Sequence, residues 1–272
     1  MRPDEFQLMS DLLKKRSGLA LSDDKVYLIE SRLLPIARSQ GLADISQLCE
    51  LVKRGAKEEL LVEITEAMTT NESSFFRDIK PYESLRNLVL PELVQKLGAQ
   101  KSLRIWSAAS STGQEPYSVA ICLQEDAAKM PGWRFEILGT DLAKKVIDKA
   151  KLGIYSQFEA QRGLPIQLLL KYFTSLPDTT WQLKENIRGM VQFKTHNLLD
   201  DYTALGKFDV IFLRNVLIYF DDATKAQITA KMARTLHPHG TLIIGATESL
   251  VDPTNLFVPI DNFRGAYKLR TI

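Results

Sequence analysis

The chain has 272 residues, 45% hydrophobic and 25% charged. That balance excludes a disordered or fibrous polymer and allows one large core plus a smaller module. Lys and Arg total 35 against 33 Asp and Glu, a formal charge of +2, so no excess of positive charge calls for nucleic acid.

Residues 1 to about 70 read as helices only. Phe6, Met9, Leu12 and Leu13 form an apolar stripe ended by Gly18. Ser22 reads as the N-cap of a second helix carrying Val26, Ile29, Leu33 and Ile36, with Pro35 expected to kink it. Asp44 caps a third, with Ile45, Leu48, Leu51 and Val52, stopped by Gly55. A fourth carries Leu60, Leu61, Ile64, Ala67 and Met68. Caps, 3.6-residue stripes and terminal glycines recur in the order expected of a small helical module.

The texture changes after Thr69. Polar residues lead into Phe75-Phe76-Arg77, and a helix is expected to start at Pro81. Strands are predicted at Leu103–Trp106, Phe135–Leu138, Phe208–Phe212 and Thr241–Ile244. They alternate with helices at Tyr117–Gln124, Ala143–Lys151 and Ala223–Leu236. Short apolar strands separated by helices imply a parallel sheet covered on both faces. Between Ile154 and Val191 the rhythm breaks: a helix at Leu164–Phe173 and short strands at Trp181–Leu183 and Met190–Phe193 suggest an inserted hairpin-like subdomain over about 154–193. His237-Pro238-His239-Gly240 reads as a turn. The tail, Phe257–Ile260 and Ala266–Leu269, suggests an antiparallel edge.

The N-terminus lacks the apolar stretch of a signal peptide. The most apolar run, Val210 to Phe220, is interrupted by Arg214 and Asn215 and is too short to span a bilayer. A soluble cytoplasmic protein without membrane insertion is expected. The two cysteines, Cys49 and Cys122, sit in apolar patterns outside any CxxC or Cys/His cluster and read as buried thiols. His196, His237 and His239 show no ligand pattern, and no metal is expected.

An open parallel sheet binds ligands beyond the carboxyl ends of its strands, where the strand order switches. The loop after the first strand, Ser107 to Pro116, consists mostly of small residues, which let a ligand approach the backbone. It contains neither GxGxxG nor GxxxxGK[ST], so nucleotide binding through a phosphate cradle is not supported. Glu115 suits an ammonium group. Asp141, after the second strand, either accepts ribose hydroxyls or caps the helix from Ala143; the two roles are compatible. A ligand with a ribose and an amino group, and no required pyrophosphate, fits S-adenosylmethionine.

Four segments carry a resemblance to a known family: Asn71-Glu72-Ser73-Ser74-Phe75-Phe76-Arg77, the Trp106 to Tyr117 loop with its Ser-Thr-Gly-Gln-Glu-Pro-Tyr core, Gly139-Thr140-Asp141, and Phe212-Leu213-Arg214-Asn215-Val216-Leu217-Ile218-Tyr219-Phe220. In their order, and with the helical module before them, they resemble the chemotaxis receptor glutamate methyltransferases, the CheR family, over nearly the whole chain. The resemblance implies an α/β fold: a class I S-adenosylmethionine-dependent methyltransferase sheet with an N-terminal all-helical module and a small inserted β-subdomain. Domains would be a helical receptor-contacting module over 1–70, a linker over 71–80 and a methyltransferase domain over 81–272. It implies methyl transfer from S-adenosylmethionine to receptor glutamates.

Carried over by position, Asn71, Ser73 and Arg77 would line the cofactor cleft from the linker, Ser73 standing where the family commonly has Thr. Glu115 would meet the methionine ammonium and Asp141 the ribose. Asn197 and Leu198 would lie by the adenine, and Asn215 and Val216 by the methionine end. Arg77 and Tyr219 resemble the pair that positions the substrate carboxylate. Arg214 also suits a structural ion pair, and Phe75 and Phe76 suit core packing.

Ten basic residues against twelve acidic ones in the helical module mean that any basic patch there is local. Lys25, Arg32 and Arg38 fall on the helix that the family turns toward the receptor. Family members that tether to a receptor C-terminal pentapeptide carry a longer, Gly-containing loop in the inserted subdomain. Here Thr174 to Thr180 has no glycine and is short, so no pentapeptide binding is expected. Two other readings remain open from the residues: a methyltransferase of this fold acting on a small molecule or another protein, and a non-catalytic cofactor-binding receptor adaptor.

Overall fold

Capped apolar stripes produce the helices of a small N-terminal unit: α1 (Pro3–Ser17), α2 (Val26–Ser39), α3 (Ile45–Lys53) and α4 (Glu58–Met68). The structure, a computed structural model, describes residues 1–270. Gly18 ends α1 in the left-handed conformation, and the Asp44 side chain accepts the Gln47 N–H at 2.9 Å to cap α3. Ser22 differs from expectation. It precedes a 3-10 turn at Asp23–Lys25 and its hydroxyl bonds Asp24 rather than a helix amide. Pro35 lies inside α2. Met9, Leu13, Ile29, Leu33, Leu48 and Ile64 form the fully buried centre of this unit.

The unit also includes a distant segment, Ile218–Thr224. Leu19 makes an isolated bridge to Phe220, Ala20 N–H donates to Tyr219 O at 2.9 Å, and Lys14 pairs with Asp221 at 2.7 Å.

The larger unit begins at Asn71. Its elements are α5 (Lys80–Ser84), a π-helical stretch at Leu85–Val89, α6 (Leu90–Lys96), β1 (Ser102–Ala108), α7 (Gln114–Glu125), β2 (Arg134–Asp141) and α8 (Lys144–Leu152). Then follow β3 (Ile154–Ser156), α9 (Gln157–Gln161), α10 (Ile166–Tyr172), β4 (Phe173–Ser175), β5 (Thr180–Leu183), α11 (Glu185–Arg188) and β6 (Val191–Thr195). The chain continues with β7 (Phe208–Leu213), α12 (Asp222–Thr235), β8 (Leu236–Ile244), β9 (Phe257–Pro259) and β10 (Ala266–Leu269).

Among the described residues, seven strands form one sheet in the order β6-β2-β1-β7-β8-β10-β9. The first five run parallel; β10 is antiparallel to β8 and to β9. Every β7 residue is buried, as befits a central strand covered on both faces. The chain order reverses between β1 and β7, so the switch point lies there.

Three boundaries differ from the sequence reading. Helix α7 begins at Gln114, so Glu115 sits in a helical first turn and not in a loop. Strand β2 continues through Gly139-Thr140-Asp141 because Trp106 Nε1 donates to Thr140 Oγ1 at 2.9 Å and the β1–β2 ladder runs on to the Ala108–Thr140 pair. Residues 237–240 lie inside β8 and do not form a turn, at a register jump between the Phe208–Leu236 and Val210–Thr241 pairs.

The inserted subdomain also ends earlier than expected. Its antiparallel sheet is β3-β5-β4, whereas β6 is the parallel edge strand of the main sheet, paired with β2 from Ile137–Val191 to Asp141–Thr195. Both cysteines are buried free thiols; burial pushes Cys49 up to about 11 and Cys122 up to about 12, so neither is a ready nucleophile. No helix among the described residues is long and apolar enough to cross a membrane.

Candidate active site

The parallel register brings the carboxyl ends of β1, β2, β6 and β7 to one edge of the sheet. Ala108 lies beside Thr140 and Leu213, and Asp141 beside Thr195. The β1–α7 connection crosses this edge through unusual backbone. Ala109 and Ser111 hold φ of 60° and 50°, values that cost energy in non-glycine residues and recur at functional sites. Ser110 N–H donates to Thr140 O at 2.7 Å and Ser111 N–H to Asp141 Oδ2 at 2.8 Å, lacing the connection to the end of β2.

Asp141 is 7% exposed. Its Oδ1 accepts the Ala143 N–H at 3.1 Å, so it turns the chain toward α8, whose N-cap is Ala143 itself. Its carbonyl accepts His196 N–H at 2.9 Å, tying β2 to the loop after β6. In that loop Asn197 Oδ1 accepts the Leu199 N–H at 3.0 Å, and Leu198 is buried.

Gly139 is required by close approach: a Cβ there would stand 2.7 Å from the Phe193 ring and 3.1 Å from Ser110 Oγ. Ser110 Oγ is buried without a hydrogen-bond partner among the described residues.

Glu115, on the first turn of α7, accepts from Ser107 Oγ at 2.8 Å on one oxygen and from Arg214 Nη1 at 2.8 Å on the other. Burial pushes its carboxyl above the ordinary range, and the guanidinium and the hydroxyl pull it partly back. Arg214 follows β7, and its side chain is 1% exposed. Its Nη2 donates to Arg77 O and to Asp78 Oδ2, both at 2.8 Å. The Glu115 carboxylate beside it holds Arg214 firmly protonated against the cost of burial. The structural ion pair suggested for Arg214 is therefore present, and it binds the very acid assigned to a ligand.

The same guanidinium anchors the segment that opens the larger unit. Ser111 Oγ donates to Asn71 O at 2.7 Å, and Phe76 N–H donates to Ser118 Oγ at 2.9 Å. Phe75 is fully buried, edge-on to Tyr155 and Phe173. Gly163 closes against it: φ is 85° and a Cβ would meet Phe75 O at 2.2 Å. The turn that follows has positive φ at Phe76, Asp78 and Ile79 (50°, 68° and 47°). Asn71, Ser73 and Arg77 thus belong to a pinned segment. The Arg77 side chain is half-buried and donates to Glu72 O at 3.1 Å.

Asn215 takes φ of 57° and its N–H donates to Glu248 Oε2 at 2.7 Å; the Gly245 N–H joins the same oxygen at 2.8 Å. Val216 follows, half-buried. Among the described residues no group of three or more His, Cys, Asp or Glu could hold a metal ion.

Hydrogen bonds thus tie both acids to the Asn71–Arg77 segment, Asp141 through Ser111 and Glu115 through Arg214. Tyr219 belongs to the other unit, where its carbonyl is tied to Ala20. Of the basic residues on or beside α2, Arg32 is engaged internally: its guanidinium donates to Met68 O (2.8 Å), Thr69 O (2.9 Å) and Thr70 Oγ1 (3.1 Å), which satisfies the end of α4. Lys25 pairs with Asp24 at 2.8 Å, and Arg38 is exposed.

Sequence reasoning missed Ser107, Ser118, Asp78 and Glu248. Asp78 carried a faint signal, a charge next to Arg77. Glu248 carried none, since it reaches Asn215 from 33 residues away.

Comparison with known proteins agrees with this architecture. Residues 71–264 match the family description "CheR methyltransferase, SAM binding domain", and residues 4–69 match "CheR methyltransferase, all-alpha domain". The chain is similar to chemotaxis protein methyltransferase 1 of Pseudomonas aeruginosa, 41% identical over 251 residues, 90% of each chain. It is also similar to the chemotaxis protein methyltransferase of Vibrio parahaemolyticus, 38% identical over 255 residues, 93% of this chain and 92% of that one.

Proposed function

This chain belongs to the CheR methyltransferase family, and on that footing we propose that it forms methyl esters on glutamate side chains in the cytoplasmic domains of chemotaxis receptors, with S-adenosylmethionine as donor and S-adenosylhomocysteine as product. One observation carries the reading. Two acids on neighbouring βα turns, Glu115 and Asp141, stand at the carboxyl edge beside the switch point, Glu115 held by Ser107 and Arg214 and Asp141 by the amides of Ser111 and Ala143.

When bound, the donor supplies an electrophilic methyl group on a sulfonium. A glutamate side chain, with a pKa of about 4.3 in model peptides, is already an anionic nucleophile at pH 7. The displacement therefore needs neither a general base nor a metal, and the protein's task is placement.

Asp141 takes the ribose diol, and Glu115 takes the ammonium. Asn197 and Leu198 lie against the adenine, and Asn215 and Val216 flank the methionine end. Asn71, Ser73 and Arg77 contribute from the pinned segment. Arg77 and Tyr219 orient the substrate carboxylate by hydrogen bonding and move no proton. The half-buried guanidinium of Arg77 supports its part, since it spends one N–H on a carbonyl and keeps others for a carboxylate. Exclusion of water from such a site favours the merging of an anion with a cation.

The test is transfer of labelled methyl to receptor-enriched membranes. The label is expected to be released as methanol by mild base, as an ester requires. Label that resists base, or none incorporated, would overturn the assignment.

Lys25, Arg32 and Arg38 mark the receptor-facing side of the helical module in this reading. Arg38 is the exposed member that holding α4 leaves free.

Tethering to a receptor-tail pentapeptide is not part of the proposal. The β4–β5 connection is a tight turn over residues 176–179: Leu176 N–H donates to Thr180 O at 2.8 Å, and Asp178 accepts the Thr180 hydroxyl at 2.6 Å. Calorimetry with a receptor-tail peptide is expected to show no binding, and a micromolar signal would reverse this.

A further inference from the structure

Arg214 joins two carboxylates and a carbonyl in one buried cluster. Nη1 reaches Glu115 at 2.8 Å; Nη2 reaches Asp78 and the Arg77 carbonyl, each at 2.8 Å; and the Tyr82 hydroxyl lies 3.4 Å from Nη1. Nε has no partner among the described residues. Glu115 and Arg214 alone form a neutral pair, and an ammonium added beside a neutral pair leaves an uncompensated positive charge in a site from which water is largely excluded. Asp78 changes that count. With it the hydrogen-bonded cluster carries one net negative charge, and an arriving ammonium brings it to neutrality. Glu248 lies outside this hydrogen-bonded cluster, its Oε2 accepting the amides of Asn215 and Gly245 at 2.7 and 2.8 Å; its charge adds to the negative field at Glu115 but touches neither Arg214 nor the Arg77 turn.

We propose that Asp78 is a positioning residue for the donor: by sharing the Arg214 guanidinium with Glu115, it leaves the Glu115 carboxylate available to the donor's ammonium group, and it holds the Arg77 turn on the same guanidinium. The inference rests on the proposed methyltransferase reading and adds a residue to it. Two features place Asp78 in this role rather than on an ordinary surface. Its backbone sits at φ of 68°, a strained value that a fixed partner must hold. And its side chain, 43% exposed, meets an arginine that is 1% exposed. Asp78 acts through Arg214 and touches neither donor nor substrate.

Calorimetry on the whole 272-residue chain tests this with two ligands that share an adenosine. S-adenosylhomocysteine carries the ammonium; 5′-methylthioadenosine lacks it. Asp78→Asn is expected to weaken S-adenosylhomocysteine on the order of tenfold, the scale of one charged partner discounted for partial exposure, and to leave 5′-methylthioadenosine unchanged. Asp78→Glu is expected to restore the affinity. In a Glu115→Gln background, Asp78→Asn is expected to add no more than about twofold, because the two changes act on one interaction.

Equal weakening of both ligands, unchanged S-adenosylhomocysteine affinity in Asp78→Asn, or full additivity with Glu115→Gln would each overturn the proposal while leaving the methyltransferase reading in place. A wild-type protein that binds neither ligand would overturn both.

Discussion

Replacing Arg77 by alanine is expected to cut methyl transfer on the order of 100-fold, the size of effect that loss of a main orienting contact produces, with little change in folding stability. The separation follows from the geometry. What Arg214 grips is the backbone carbonyl of Arg77, at 2.8 Å, and alanine keeps that carbonyl. What alanine removes is a half-buried guanidinium with a single bond to Glu72 O at 3.1 Å, whose net contribution to folding is about 1 kcal/mol or less. Initial rates of labelled-methyl incorporation, measured beside a thermal melt, check both halves. Arg77→Lys is expected to recover only part of the activity, since an ammonium offers a point charge where a planar fork matches a carboxylate. Normal turnover in Arg77→Ala would remove Arg77 from the substrate site. A lowered melting temperature of matching size would make its role structural.

The second large effect is on stability. Arg214→Met keeps the length of the side chain and deletes its charge, leaving the Glu115 carboxylate buried without its counter-ion. Breaking a buried pair in this one-sided way costs roughly 3–5 kcal/mol, or on the order of 10 °C in melting temperature for a domain of this size. Both partners are shielded enough for that figure to apply, with side chains 1% and 12% exposed.

The loss is expected to depend on pH. Burial already raises the Glu115 carboxyl in the wild type, with Arg214 opposing; in the variant that opposition is gone and the folded-state value rises further. A carboxyl raised in the folded state holds a proton that the unfolded chain has released. The folded state is therefore favoured below the unfolded pKa and loses that advantage as pH climbs through the folded value. Arg214→Met is thus expected to melt closer to the wild type at pH 5 than at pH 8, and equal deficits at the two pH values would show that Glu115 is not the group left stranded.

How much of this was readable beforehand varies with the range of the interactions. The four N-terminal helices were legible because helix caps and 3.6-residue stripes are local signals, and Gly18 and Asp44 perform the roles their positions suggest. Strand β7 was legible for a similar reason: a wholly apolar run can only be a covered strand or a buried helix, and its length decides. Strand β6 was misassigned to the inserted hairpin because five residues with an alternating pattern do not say which sheet they join. Residues 237–240 looked like a turn because Pro and Gly usually punctuate, whereas here they occupy the irregular stretch of β8 opposite β7.

The candidate site divides along the same line. The sequence by itself determined the helical module, the βα alternation, the small-residue connection after β1, and the presence of Glu115, Asp141, Arg77 and Arg214 in recognisable segments. These are properties of residues close together in the chain, where spacing is enough. Only the tertiary structure decided that Arg214 would reach across 99 residues to Glu115 and 136 to Asp78, and that Arg32 would spend its guanidinium on the end of α4. It also placed Ile218–Thr224, with Tyr219, in the helical unit. The reason is physical: a buried guanidinium must find acceptors for its donors wherever the fold supplies them, and the sheet's parallel register, not sequence distance, sets which acceptors are near.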